Sequence, residues 1–256
     1  MKGKQNPSDR GVMIVTGGSR GIGAAIARMA ATRGYAVAVN YVSDTRAAQS
    51  VVDSITRGGR LAIAIEGDVA VETDVLRMFE TSDRELGAID VLVNNAGITG
   101  GFQRVEEISA PVLTRVLATN VVGSFLCARE AVRRMSSRHG GRGGSIINIS
   151  SRAAELGGSG EWIHYAATKG AINSLTVGLA REVAAEGIRV NAVAPGLIET
   201  DLHAAAGAPD RVERLSATVP VGRAGSADEV AECVLWLASP AASYVTGSIL
   251  PVSGGR

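Results

Sequence analysis

The sequence has little of what most often declares a function by itself. It holds two cysteines, three histidines and only 4% aromatic residues. Cys127 and Cys233 lie far apart in helix-like segments and form no CxxC pair, so neither a disulfide framework nor a thiolate metal cluster is expected. His139, His164 and His203 lack metal-ligand spacing, and no metal site is expected. Excess charge is missing too: 26 basic against 25 acidic residues leave +1, which gives no long-range attraction for nucleic acid. No apolar run of about 18 residues is present to span a bilayer. The polar start, MKGKQNPSDRG, contains no apolar signal-peptide core. A cytoplasmic chain with no membrane contact is the expectation.

What is present is a long, apolar, glycine-punctuated chain. Of 256 residues, 46% are apolar and 32 are glycine. With aromatics scarce, Ala, Val, Ile and Leu must fill the core. The glycines are spread along the chain, so they mark turns and close approaches, not a low-complexity tract. Short β-branched runs alternate with helix-length stretches. Strands are expected at 12–16, 36–41, 61–67, 91–97, 145–151, 188–196 and 248–252. Helices are expected at 21–33, 44–57, 71–86, 108–119, 121–138, 164–186 and 226–238, with an irregular stretch at 197–225. The strands are continuously apolar, the pattern of strands covered on both faces. Strand–helix repetition of this kind implies an α/β fold: one Rossmann-type, doubly wound parallel sheet of about seven strands, helices on both faces, spanning 1–256 as one domain.

The first strand runs into TGGSRGIG, which places Gly17, Gly21 and Gly23 at the start of the first helix. Glycine is needed where the backbone turns sharply and approaches a pyrophosphate, and the helix end offers free N–H groups to the anion. Two other motifs overlap the loop. Gly17 to Gly21 also reads as GxSxG, the nucleophile elbow of a hydrolase, but no earlier strand exists to supply its oxyanion loop. A Walker A loop fails because Ala24 and Ala25, not Lys and Ser or Thr, follow Gly23. HGGRGG at 139–144 follows a helix and precedes a strand, the wrong context for a phosphate cradle.

An NAD-selective site places a carboxylate about 20 residues beyond the glycines. Here the second strand ends in Asn40-Tyr41-Val42-Ser43. Arg20 is then free to pair with a 2′-phosphate, with Asn40 and Ser43 as further donors. NADP(H) is favoured, and NAD(H) remains the alternative. Asp68 is expected to bind the adenine amino group, unless it is only a turn residue.

These segments and those that follow resemble the short-chain dehydrogenase/reductase family over nearly the whole chain. The matching positions are the TGxxxGxG loop, Asp68-Val69, Asn94-Asn95-Ala96-Gly97, Asn120, Ser151, Tyr165-Ala166-Ala167-Thr168-Lys169, and Pro195-Gly196 with Thr200. The chain is most similar to the bacterial reductase branch with oxoacyl-carrier-protein reductases and glucose-dehydrogenase-like members. The resemblance implies hydride transfer between a nicotinamide and a small carbonyl or alcohol substrate. Asn120, Ser151, Tyr165 and Lys169 are then catalytic, with Ser150 the alternative to Ser151. The cofactor contacts it implies are Gly17, Ser19, Arg20, Gly21, Ile22, Gly23, Asn40, Tyr41, Ser43, Asp68, Val69, Asn94, Ala96, Gly97, Tyr165, Lys169, Pro195, Gly196, Ile198 and Thr200. Lys169, one helical turn beyond Tyr165, is expected to lower the phenol's pKa from about 10 by roughly three units, given a cation at about 4 Å in an effective dielectric near 20. Asn120 is expected to support a water linking Lys169 to solvent. Arg152, Trp162, His164 and 197–225 are expected to shape the substrate pocket, with 204–208 as a mobile lid. The C-terminal YVTGSILPVSGG resembles segments that pack across a two-fold axis, so a homotetramer is expected. A cofactor-binding regulatory module without turnover is the main alternative, and an intact Ser–Tyr–Lys set weighs against it.

Overall fold

The structure, a computed structural model, describes residues 9–256. Most of the polar start used to argue against a signal peptide lies outside those residues. Seven strands form one parallel sheet: β1 (Val12–Val15), β2 (Ala36–Tyr41), β3 (Ala62–Glu66), β4 (Ile89–Asn94), β5 (Gly144–Ile149), β6 (Ile188–Pro195) and β7 (Ile249–Val252). Their spatial order is β3-β2-β1-β4-β5-β6-β7, and every pair is parallel. The chain winds outward from β1 to β3, then returns to lay β4 on the other side of β1. That reversal opens a crevice at the carboxyl ends of β1 and β4, where this architecture binds its ligands.

The described residues form ten α-helices: α1 (Gly21–Thr32), α2 (Thr45–Arg57), α3 (Glu72–Glu85), α4 (Ala110–Leu117), α5 (Gly123–Met135), α6 (Ala153–Leu156), α7 (Ile163–Val183), α8 (Leu202–Ala205), α9 (Arg211–Ser216) and α10 (Ala227–Ala238). Successive strand residues feed opposite cores. Met13, Val15, Val37, Val39, Val91 and Val93 pack with Ile26, Val51, Ile55 and Val234 from α1, α2 and α10. Ile14, Ala38, Leu92, Ile146 and Val190 pack with Met78, Phe79, Cys127 and Met135 from α3 and α5. Period-two burial on both faces is why the strands read as unbroken apolar runs.

Several boundaries differ from expectation. The fourth strand ends at Asn94, not 97, because the Asn95 N–H turns back to the Val93 carbonyl and the Thr16 hydroxyl. The stretch 197–225 is not wholly irregular, since it holds α8 and α9, and α6 follows β5 unannounced. The helices expected at 108–119 and 121–138 are one continuous helix from Ala110 to Met135, joined by a π-turn at Ala118–Val122. By length and composition this helix is apolar enough to cross a membrane. Polar residues interrupt it, so it contains no unbroken apolar run. In the structure Cys127, Ala131 and Met135 lie in the core, while Leu113, Leu117, Val122 and Phe125 are exposed.

Candidate active site

The glycine loop is held by its neighbours. Gly17 and Gly21 both have positive φ, +60° and +52°. A Cβ on Gly23 would run into the Gly17 carbonyl and the Asn95 amide, so only glycine fits. Thr16 and Asn95 fasten the loop to β4. The Thr16 hydroxyl accepts from the Asn95 and Ala96 N–H groups at 2.9 and 3.0 Å. Asn95 Nδ2 donates to the carbonyls of Thr16 and Gly17 at 2.9 and 3.0 Å. Neither residue stood among the expected contacts. The signal was there in the Thr of TG and the second Asn of NNAG.

Asn40 corrects an expectation. It is fully buried, and its Oδ1 accepts from the Gly17 N–H at 3.2 Å while Nδ2 donates to the Gly67 and Ile65 carbonyls. With the Asn40 carbonyl accepting from Gly18 as well, this residue ties the ends of β1, β2 and β3 together. Its amide has nothing left for a 2′-phosphate. Tyr41 is likewise buried, while Arg20 and Ser43 are exposed. Asn94 is also turned away from the crevice, donating to Asn148 and to the Ser124 carbonyl inside the sheet. Val69 is buried against Gly123. Asp68 closes a local turn onto the Ala70 N–H at 2.9 Å.

The loop fits a bound pyrophosphate. At α1 no side chain caps the first turn and no acidic residue stands in it. By contrast, Asp44 caps α2 and Ser226 caps α10. The free N–H groups and positive dipole end of α1 are therefore left for an outside anion. Ser19 and Ile22 flank this end half-buried, and Thr200 packs within 3.6 Å of where a Gly21 Cβ would stand. Thr200 follows Pro195, Gly196 and Ile198 as the chain leaves β6. Gly196 lies against Ser253, and Ile198 is buried and bridged to Gly225. The far end of the sheet thus comes back to the glycine loop.

On the other side of the crevice, β5 delivers two serines. Ser150 is buried, donating to Asn173 Oδ1 at 2.6 Å and to the Lys169 carbonyl. The half-buried Ser151 hydroxyl accepts from the Ala153 N–H at 3.1 Å and lies close enough to the Tyr165 phenol to lower its pKa. Both serines follow the end of β5: the Ser150 hydroxyl is taken up by Asn173 and the Lys169 carbonyl, whereas Ser151 only accepts from a backbone N–H. Tyr165 and Lys169 share a face of α7, with Nζ 5.5 Å from the phenol ring centre.

Their electrostatics overturn the expected pKa arrangement. Burial pushes Tyr165 up to about 12, only partly offset by the Ser151 hydrogen bond. Burial pushes Lys169 down to about 8. Lys169 Nζ donates to the Ile149 carbonyl at 2.7 Å. Removing both groups from water outweighs their mutual effect, so the protein by itself keeps Tyr165 as a neutral proton donor.

Asn120 sits in the π-turn, where one extra residue widens the helix. Its amide grips Ile98 in both directions, accepting from the N–H at 2.8 Å and donating to the carbonyl at 2.9 Å, and also donates to Thr168 Oγ1 at 3.0 Å. Gly97 lies between Asn120 and Lys169, where a Cβ would stand in ordinary contact with both. Asn120 thus positions the 96–98 backbone and α7; its side chain is occupied by protein groups.

Ser19 and His164 form no hydrolase pair, since both ring nitrogens of His164 lack a partner. Among the described residues no group of three or more His, Cys, Asp or Glu is placed to hold a metal.

Comparison with known proteins agrees with this geometry. A family model described as enoyl-(acyl carrier protein) reductase matches residues 17–256. An Escherichia coli (strain K12) protein, the uncharacterized oxidoreductase YgfF, is 50% identical over 245 residues, covering 96% of this chain and 99% of the relative. A 3-oxoacyl-[acyl-carrier-protein] reductase of Staphylococcus aureus (strain Mu50 / ATCC 700699) is 40% identical over 244 residues, covering 94% and 96%. A short-chain dehydrogenase from Burkholderia cenocepacia J2315, solved in complex with NADP, superposes with a TM-score of 0.88 at 32% identity, over 98% of this chain and 99% of that one. The chain belongs to the short-chain dehydrogenase/reductase family and is a nicotinamide-dependent oxidoreductase resembling the oxoacyl-carrier-protein reductases.

Proposed function

We propose that the protein reduces a carbonyl to an alcohol with NADPH, with Tyr165 as the proton donor. The observation that carries this is the buried Tyr165 phenol, with Lys169 Nζ 5.5 Å from its ring centre on the same helix face and Ser151 beside it. When bound, the nicotinamide supplies the hydride. Tyr165, held protonated by burial, gives its proton to the substrate oxygen, and Ser151 orients that oxygen by hydrogen bonding. Lys169 raises the local positive potential and, near its lowered pKa of about 8, can restore the proton to Tyr165. Gly17, Ser19, Gly21, Ile22 and Gly23 would hold the pyrophosphate. Asp68 and Val69 would flank the adenine, and Ala96, Gly97, Pro195, Gly196, Ile198 and Thr200 the nicotinamide half.

NADP(H) is preferred because Arg20 and Ser43 are exposed and free to meet a 2′-phosphate. The next carboxylate along the chain, Asp44, is taken up by the Ala47 N–H at 2.9 Å. Asn40 acts behind this surface by fixing the loop. We further propose one domain, a substrate loop at 197–225, a cytoplasmic location and a homotetramer. Exposed Leu113, Leu117, Val122 and Phe125 on one long helix, and Tyr244 and Trp236 near the β7 edge, support burial against further copies.

The test is the rate of NADPH oxidation with an oxoacyl thioester and with the corresponding enoyl thioester, beside fluorescence titrations of NADPH and NADH. Turnover of the oxoacyl compound and tighter NADPH binding are expected. Turnover of the enoyl compound alone would overturn the carbonyl reading, and equal or tighter NADH binding the cofactor preference.

A further inference from the structure

The corner of the crevice beyond Tyr165 is built differently from the rest of the site. Phe102 stacks on Trp162, with ring centres 4.7 Å apart, and Trp162 leans against Tyr165 at 5.4 Å. Over this aromatic wall lies Arg211 of α9, whose guanidinium carbon is 4.6 Å from the Trp162 ring centre and 5.3 Å from that of Phe102. The Arg211 side chain is only 7% exposed. Its Nη1 is ion-paired with Glu161, whose side chain is 31% exposed, and Nε is buried with no partner.

A guanidinium lying flat on rings keeps its donors pointing outward along its edges. One edge here meets Glu161; the Nε donor is unsatisfied. Leaving a buried donor unpaired is unfavourable, and native proteins seldom tolerate it without a reason. Other polar atoms of this corner are unsatisfied as well: Gln103 Oε1 and both ring nitrogens of His164, a residue only 4% exposed and packed against Gly100. The Gln103 N–H donates to the Glu161 carbonyl at 2.8 Å, which holds Gln103 beside the Arg211–Glu161 pair. A buried cation with an unfilled donor, next to the proton donor, marks a receptor for an oxygen-bearing group of the substrate. Glu161, being partly in water, is free to turn outward when another carboxylate takes its place.

We propose that Arg211 determines specificity by receiving a carboxylate at the far end of the carbonyl substrate. This rests on the reading of Tyr165 as the proton donor to that carbonyl. Arg211 acts on the substrate's distal end and takes no part in the proton transfer.

Levulinate and its methyl ester differ in that charge and one methyl group, and they serve as probes with a homologous pair one carbon longer. Binding is read from the emission of Trp162 in a Trp236→Phe background, since the chain has two tryptophans, and turnover from NADPH oxidation. The keto acids are expected to bind more tightly than their esters. Arg211→Met should weaken the acids by about tenfold or more, the scale of a lost charged hydrogen bond, and leave the esters nearly unchanged. Arg211→Lys should restore part of the loss, and Glu161→Gln should tighten the acids. These two variants keep the test decisive if Arg211→Met fails to fold. Equal binding of acid and ester, or equal weakening of both by Arg211→Met, would overturn the proposal. Selective acid binding with no turnover of either compound would support it while overturning the assigned reaction.

Discussion

The two walls of the crevice spend their polar groups in opposite ways. On the glycine-loop side, Thr16, Asn40 and Asn95 engage one another's strands through bonds of 2.9–3.3 Å. On the substrate side, Arg211, Gln103 and His164 keep unpaired atoms. A wall whose hydrogen bonds are closed within the protein is already in its working shape, which suits a cofactor common to a whole family. A wall with open valences is completed by its ligand, which suits one substrate and excludes others.

The largest expected effect tests where the two walls meet. Tyr165→Phe should lower kcat by about 10²–10⁴-fold, the usual contribution of a placed proton donor, with NADPH binding little changed. A variant that kept full activity would remove the chemical link between the walls. Next comes Lys169. Its pKa is lowered to about 8 from 10.5, so the folded protein binds fewer protons than the unfolded chain between those values. Stability contributed at this site is therefore gained as pH rises from about 8 to about 10.5, by roughly 3 kcal/mol. In paired denaturant titrations, the stability of Lys169→Met relative to the native chain should fall by that amount across this window. A difference independent of pH would show that Lys169 is not desolvated as described.

Asn40→Leu should lose about 1–3 kcal/mol of stability, since it leaves the Gly67 and Ile65 carbonyls and the Gly17 N–H without their partner. It should also weaken NADPH and NADH alike, because the defect lies in the loop shared by both. Selective loss of NADPH would return Asn40 to the 2′-phosphate and blur the contrast. The smallest effect is expected for Arg20→Ala: about tenfold weaker NADPH binding by calorimetry, with NADH unaffected.

Each wall had one legible feature, the glycine loop on one side and the Tyr165–Lys169 pair on the other. Glycine spacing after an apolar strand announces a conformational need that few other residues meet, and Tyr165 and Lys169 four apart announce a shared helix face. What the sequence concealed was direction. Asn40 and Asn94 were rightly placed at strand ends, but strand ends do not reveal whether an amide faces the ligand or a neighbouring strand. The phenol's acidity was misjudged because a charge–charge estimate omits the cost of burying both partners. Arg211 and Phe102 stand far from Trp162 along the chain, and nothing local to any of them signals that the three will stack.

The π-turn at Ala118–Val122 has a consequence for how this protein can change over time. Each residue added to a helix rotates everything after it by about 100°. Removing one residue there would straighten the helix, but it would withdraw Asn120 from Ile98 or swing Cys127, Ala131 and Met135 off the sheet. Point substitutions on either side of Asn120 in this segment are open to drift, whereas single-residue deletions within it are closed. Its length, more than its composition, is the inherited quantity.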